Sequence, residues 1–249
     1  MKIKYLIQLL LFFTPAMSVF GQDAKTIVQK ANDLAMGKTS SGTMTMTIER
    51  PSWTRAVSMK SWSKGTDYYL IYITDPARDK GQVFMKRGQD MWNWMPSINR
   101  MIKLPPSMMG QSWMGSDFTN DDLVRMNSIT DDFTHKITGS EKTEGFDCYI
   151  IELIPKPEAA VVWGKIKLWI SKEEYYELKG EYFDEDGELV NTMSSSDIKK
   201  MGDRMLPAKT VMVPVDKPGN MTILEMSDVV FNVPIDEDFF SQQNMKNVR

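Results

Sequence analysis

Residues able to carry covalent or acid–base chemistry are few and scattered. His135 is the one histidine in 249 residues. A single imidazole cannot build a multi-histidine metal site, and no serine or cysteine nucleophile motif accompanies it. It alternates with Phe133 and Ile137 in a strand-like run, where a structural or surface role suits it better than catalysis. Cys148 is equally alone, which leaves no internal disulfide. Within Phe146-Asp147-Cys148-Tyr149-Ile150 it reads as a core thiol, since free cysteine is among the most buried residue types. The run Asp184-Glu185-Asp186-Gly187-Glu188 begins like a calcium loop. However, its glycine comes fourth rather than sixth and the closing glutamate is missing, so hairpin turn chemistry fits better. Asp121-Asp122 and Asp131-Asp132 suit helix caps and turns. Spacing alone does not make either pair a glycosidase couple, and GxSxG, phosphate-loop and GxGxxG motifs do not occur. The expectation is a non-enzymatic protein with no metal and no cofactor.

The remaining chemistry is apolar contact. Methionine accounts for 21 residues and tryptophan for 7. Methionine is unbranched and polarisable, so it lines surfaces that accept apolar partners of variable shape. Composition alone does not separate such a surface from a methionine-filled core. The segment Met108-Met109-Gly110-Gln111-Ser112-Trp113-Met114 points to the surface, because a glycine-flanked loop gains little from so many apolar side chains unless they cover something. They would close over an apolar cavity as a lid, or form a patch where a partner docks. Met91-Trp92-Asn93-Trp94-Met95 lies just upstream and is expected beside them. The candidate cavity and lid residues are Met44, Met46, Trp92, Trp94, Met108, Met109, Trp113 and Met114.

These residues need elements to hold them. A helix is expected after Asp23, with Ala24, Ile27, Ala31 and Leu34 on one face and Gly37 as its stop. From there the period becomes two. Met44, Met46 and Ile48 alternate with threonines, and further runs cover 57–59, 68–73, 82–86, 91–95 and 100–104, separated by turn signals such as Lys64-Gly65 and Asp75-Pro76. Pro105 to Asp122 reads as a long loop, with a helical turn begun by Asn120 or Asp121. Strand rhythm returns with 132–138 pairing 148–154, then 161–170 with 175–183. Beyond the Asp184 turn come 188–194, 209–215 and 221–228. Roughly ten or eleven strands with short turns indicate a mainly β sandwich or barrel rather than a βαβ protein.

The start of the chain reads as a cleavable signal peptide over residues 1–21. Lys2 and Lys4 precede the apolar run Leu6–Phe13, Thr14-Pro15 breaks it, and cleavage is expected between Gly21 and Gln22. The run is too short to span a bilayer. Gln22 stands where a lipoprotein would need a cysteine, so the expectation is a free periplasmic protein without a lipid anchor, folded as one domain over 22–249. Loss of two lysines would change the formal charge from −3 to −5, with 28 basic against 33 acidic residues. A mildly acidic chain without a Lys/Arg block argues against nucleic acid as partner.

The middle sequence MWNWMPSINRMIKLPPSMMGQSWMGSDFTNDDL, together with VVFNVPIDEDFF near the end, resembles the outer-membrane lipoprotein-sorting family, the LolA-like group. Its most specific part is Arg100 to Leu123. The resemblance implies an incomplete, half-open antiparallel β-barrel with an N-terminal helix and short lid helices over its concave face. The implied function is a monomeric periplasmic carrier that shields acyl chains of lipoproteins or other lipids for transfer towards the outer membrane. In such carriers an arginine on an early strand latches the lid. Arg50 and Arg55 are the nearby candidates, and the sequence places neither on that position. The middle motif looks more like relatives associated with RND-type exporters. That leaves an alternative role as a non-catalytic sensor or exporter accessory, with an inner-membrane exporter and an outer-membrane acceptor as implied partners.

Overall fold

The computed structural model describes residues 23–125 and 129–249. The expected signal peptide lies outside them. The first element is the helix α1, Ala24–Met36, whose Ala24, Ile27, Val28 and Ala31 are buried. Asp23 stands at its N-cap with an extended backbone. Its carboxylate takes the Thr26 hydroxyl (3.5 Å) rather than a backbone N–H. Gly37 ends the helix at φ 64°, and a side chain there would meet Phe231 at 3.0 Å.

Thirteen strands follow rather than ten or eleven, because even the shortest runs, such as 57–59 and 100–104, mark strands of their own. They are β1 (Thr39–Arg50), β2 (Trp53–Lys64), β3 (Tyr68–Asp75), β4 (Val83–Arg87), β5 (Asp90–Met95) and β6 (Arg100–Lys103), then β7 (Phe133–Thr143), β8 (Phe146–Pro155), β9 (Lys165–Ser171), β10 (Glu177–Phe183), β11 (Leu189–Met201), β12 (Arg204–Pro214) and β13 (Met221–Phe231). A short helix α2 (Asn120–Arg125) lies between β6 and β7, and α3 (Gln242–Met245) follows β13. β9 begins at Lys165 rather than Val161. The Gly164 backbone lies so close to Asp184 that an added Cβ would sit 2.3 Å from its carbonyl oxygen. The acidic run is a hairpin turn, with the Asp184 carboxylate accepting the N–H groups of Asp186 (3.0 Å) and Glu188 (2.9 Å).

All thirteen strands form one antiparallel sheet in the order β6-β5-β4-β3-β2-β1-β13-β12-β11-β10-β9-β8-β7. The sheet is open, not closed into a barrel. Its middle is the pairing of the first strand with the last, and its two edges, β6 and β7, are consecutive in the chain. The segment joining them therefore has to pass from one edge of the sheet to the other.

Strand alternation gives the sheet an inner and an outer face. On the inner face α1 covers Phe133, Ile151, Leu153, Ile166, Leu168 and Ile170 at the β7–β9 end. The β1–β5 end of that face carries Met46, Ile48, Val57, Met59, Tyr69, Ile71, Ile73, Phe84 and Met91. On the outer face, Leu70, Tyr72, Val83, Met85 and Trp94 are covered by Phe240, Met245 and Val248 of the C-terminal segment. Cys148 is fully buried, and burial pushes its thiol pKa up, so it is a packed core thiol and not a reactive one.

Candidate ligand trough and its lid

The inner face of β1–β5 forms an apolar trough. Register fixes its rows: Met46 faces Val57, Met44 faces Met59, and Met59 faces Ile73. Over it lies the segment from Leu104 to α2, which folds in two 3₁₀ turns, Pro106–Met108 and Trp113–Gly115. Trp113 is 2% exposed and drives its ring edge-on against Phe84, with centroids 5.4 Å apart. Met109, Met114 and Leu123 pack against the same cluster. The segment is a lid whose own side chains fill the trough. The remaining cavity, bounded by Tyr69, Ile71, Phe84, Lys86, Met91 and Leu123, is about 10 Å³, room for a single water.

Polar groups fasten this apolar plug at two places. At the far end of β1, the Arg50 guanidinium grips the Asp117 carboxylate through both Nη atoms (3.0 and 3.1 Å) and donates to the Gly115 carbonyl (2.8 Å). The pair is largely covered, with side chains 12% and 7% exposed. Thr222 of β13 completes it, donating to the Asp117 carboxylate (2.7 Å) while accepting the Asp117 N–H (2.9 Å). Asn191 donates to the Asp117 carbonyl (3.3 Å). Arg55 donates to the carbonyl of Met114, which is presented by a left-handed turn at φ 52°. Both arginines that the resemblance singled out thus hold the lid.

The second fastening is a capping box. The Thr119 hydroxyl accepts the Asp122 N–H (3.1 Å), and the Asp122 carboxylate accepts the Thr119 N–H (2.7 Å). Thr119 therefore caps α2, not Asn120 or Asp121. Two carboxylates of α2 reach the loop before β9. Asp122 takes the Trp163 indole N–H (2.8 Å) and Asp121 the Val162 N–H (3.2 Å). Burial raises the Asp122 pKa, opposed by its bonds to Trp163 and Thr119. Deeper on the inner face, burial pushes the Glu177 carboxyl up to about 7. The nearby Tyr182 hydroxyl, held against the Met193 sulfur (3.5 Å), is raised by the same cause.

The candidate residues divide between the faces. Met44, Met46, Met109, Trp113 and Met114 share the inner cluster. Met108 is half-buried in the first lid turn, and its carbonyl takes the Asn120 amide (2.9 Å). Trp92 and Trp94 point to the outer face, where they join the cluster under the C-terminal segment. Two tryptophans two positions apart share a face, but spacing does not tell which one. A polar, open groove of about 910 Å³ also lies on that outer side, between Trp62 and residues such as Asp236, Asp238, Asn244 and Asn247. His135 donates its Nε2–H to the Ile129 carbonyl (3.0 Å) and is half-buried, a structural placement. Among the described residues no cluster of three or more His, Cys, Asp or Glu could hold a metal ion, and no helix is long and apolar enough to cross a membrane.

A family model described as "Uncharacterized protein" matches residues 65–247. No curated protein matches the chain. Among solved structures it is similar to a DUF1329 family protein from Desulfovibrio piger at 22% identity, over 89% of this chain and 97% of that one, with a TM-score of 0.81. It is similar to an outer membrane lipoprotein-sorting protein domain from Vibrio parahaemolyticus at 23% identity, covering 90% and 98%, with a TM-score of 0.80. A LolA superfamily protein from Nitrosomonas europaea gives 23% identity, 90% and 100% coverage and a TM-score of 0.78. The chain belongs to the family whose model spans residues 65–247, and its fold is that of the LolA superfamily and the lipoprotein-sorting domains.

Proposed function

We propose that this chain is a periplasmic, non-catalytic carrier that shields acyl chains of a lipoprotein or another lipid in the inner trough on the way to the outer membrane. The observation that carries the reading is the plugged trough: Met109, Trp113, Met114 and Leu123 occupy an apolar channel from which polar bonds at the rim can release them. Each CH₂ exposed to water costs about 0.8 kcal/mol, so a lipid anchor cannot cross an aqueous gap unshielded. An acyl chain entering the trough would replace the lid side chains contact for contact. Apolar area leaves water on loading much as it does on closing, and the difference between the two states stays small enough for release. Methionines lining the channel fit chains of varied bend.

Native mass spectrometry of protein purified without detergent tests this, together with titration by the neutral probe N-phenyl-1-naphthylamine. The expected result is a co-purifying acyl lipid or saturable probe uptake, with quenching of tryptophan emission as Trp113 leaves its pocket. A protein that takes up neither lipid nor probe, even with Arg50→Met loosening the lid, sinks the proposal.

A further inference from the structure

The trough is not apolar along its whole length. Its rows follow from the strand register. Nearest the Arg50 latch, Ile48 faces Arg55 and Met46 faces Val57, and the next row is Met44, Met59 and Ile73. Beyond these, Ser61, Ile71, Phe84 and Asn93 lie side by side across β2 to β5. The last row runs Ser40, Ser63, Tyr69, Lys86 and Met91. Polar groups therefore stand at both ends: Arg50 and Arg55 at the latch, engaged with Asp117 and the Met114 carbonyl, and a second set at the remote end. Ser40 and Ser63 share a hydrogen bond (2.7 Å), and the Tyr69 hydroxyl bonds Ser61. Lys86 is 5% exposed, and its ammonium is steered by the Thr66 carbonyl (2.6 Å). Lys86 and Tyr69 line the residual cavity together with Phe84, Met91 and Leu123.

We propose that this end is a headgroup site, and that the trough's cargo is an amphiphile whose head is anionic, a carboxylate or a phosphate. The inference rests on the carrier reading above and adds the chemical class of the cargo. The acyl chain would lie along Met59, Val57 and Met46 towards the latch, and its head would meet the Lys86 ammonium with the Tyr69 and serine hydroxyls around it. A cation lining an apolar slot attracts an anion far more strongly than one in water, because screening is weak there. An uncharged head of equal size would gain only neutral hydrogen bonds, about half as strong. The trough thus selects by charge at one end and by bulk along its length.

The test uses the full protein and displacement of bound N-phenyl-1-naphthylamine by ligands of one chain length: palmitate, hexadecanol, methyl palmitate and 1-palmitoyl lysophosphatidate. Palmitate or lysophosphatidate is expected to compete about tenfold or more better than hexadecanol, the worth of one charge-assisted hydrogen bond. Which of the two anions competes better distinguishes a fatty acid from a phospholipid source. In Lys86→Met the ratio of palmitate to hexadecanol competition should fall towards one. Lys86→Gln serves should the first variant not fold, and the wild-type ratio stands without either. Equal competition by palmitate and hexadecanol, or a preference unchanged in both variants, overturns the headgroup site and leaves the carrier reading standing. Failure of the probe and of every ligand to bind overturns both.

Discussion

If the Arg50–Asp117 pair holds the lid and not the sheet, weakening it should loosen one segment of the protein selectively. Asp117→Asn keeps the side-chain volume but removes the charge. Losing one partner of a buried ion pair costs about 3–5 kcal/mol. Here both side chains retain some exposure, and Arg50 keeps the carbonyls of Glu49 (2.7 Å), Gly115 (2.8 Å) and Met221 (3.2 Å). The expected cost is therefore nearer 2–3 kcal/mol, or about 30- to 150-fold in the opening equilibrium. Native-state hydrogen exchange reads this directly. The reporters are lid amides whose acceptors lie within the lid: Trp113 to Phe118 (2.8 Å), Asn120 to Gln111 (2.9 Å) and Asp121 to Met109 (2.9 Å). They should exchange faster by that factor, while amides of the β1–β2 pairing keep their wild-type rates. The double replacement Arg50→Met with Asp117→Leu should recover part of the lost protection, since apolar groups of similar volume leave no stranded charge. Equal acceleration in lid and sheet would show that the pair belongs to the global fold, and unchanged lid amides would show that it holds nothing. Either result refutes the latch.

Trp113→Ala should cost about 3–5 kcal/mol in urea unfolding through the cavity it leaves, whereas Trp113→Phe should cost much less. The indole N–H has no hydrogen-bond partner to lose, so equal losses in the two variants would contradict the packing account. Glu177 gives a pH signature. Its folded pKa of about 7 lies above the ordinary 4.5, so from about pH 4.5 to 7 the unfolded chain releases a proton that the folded one keeps. Stability should fall as pH rises through that window and level off above it, and Glu177→Gln should flatten the profile and gain up to about 3 kcal/mol at pH 8. An identical pH profile in wild type and variant would reject this. Gly164→Ala should destabilise by about 2 kcal/mol or more, because its Cβ would fall 2.3 Å from the Asp184 carbonyl oxygen and two backbones would have to part. A thermal midpoint within a degree of wild type would show that the two segments are not so closely packed.

Local patterns carried much of this structure. The α1 periodicity, its Gly37 stop, the hairpin at Asp184 and the alternation of Met44, Met46 and Ile48 all follow from residues a few positions apart. The Met-rich segment's composition implied that it covers something, and Met109, Trp113 and Met114 do pack against the inner cluster. What could not be read was which face each strand turns inward. Trp92 and Trp94 alternate correctly for either face, and only the C-terminal segment, far along the chain, settles them on the outer one. The latch was hidden for the same reason: Arg50, Asp117 and Thr222 are separated by 67 and 105 positions and meet only when β1 pairs β13. Thr119 was different. Its spacing to Asp122 is a capping-box signal that lay in plain view beside the more obvious Asn120 and Asp121.

The two sheet edges are consecutive in the chain, and this has a mechanical consequence. Laid flat at about 4.8 Å between strands, thirteen strands would hold β6 and β7 about 58 Å apart. The segment that bridges them, residues 104–132, also carries α2 and the two 3₁₀ turns of the plug. Fully extended it would span about 95 Å, so it ties the two edges together with slack to spare, a loose drawstring across the mouth of a pouch. A force that parts the edges is carried by the same segment that seats Trp113 in the inner cluster. Mouth and plug thus share one piece of chain, and a partner that takes hold of that piece acts on both.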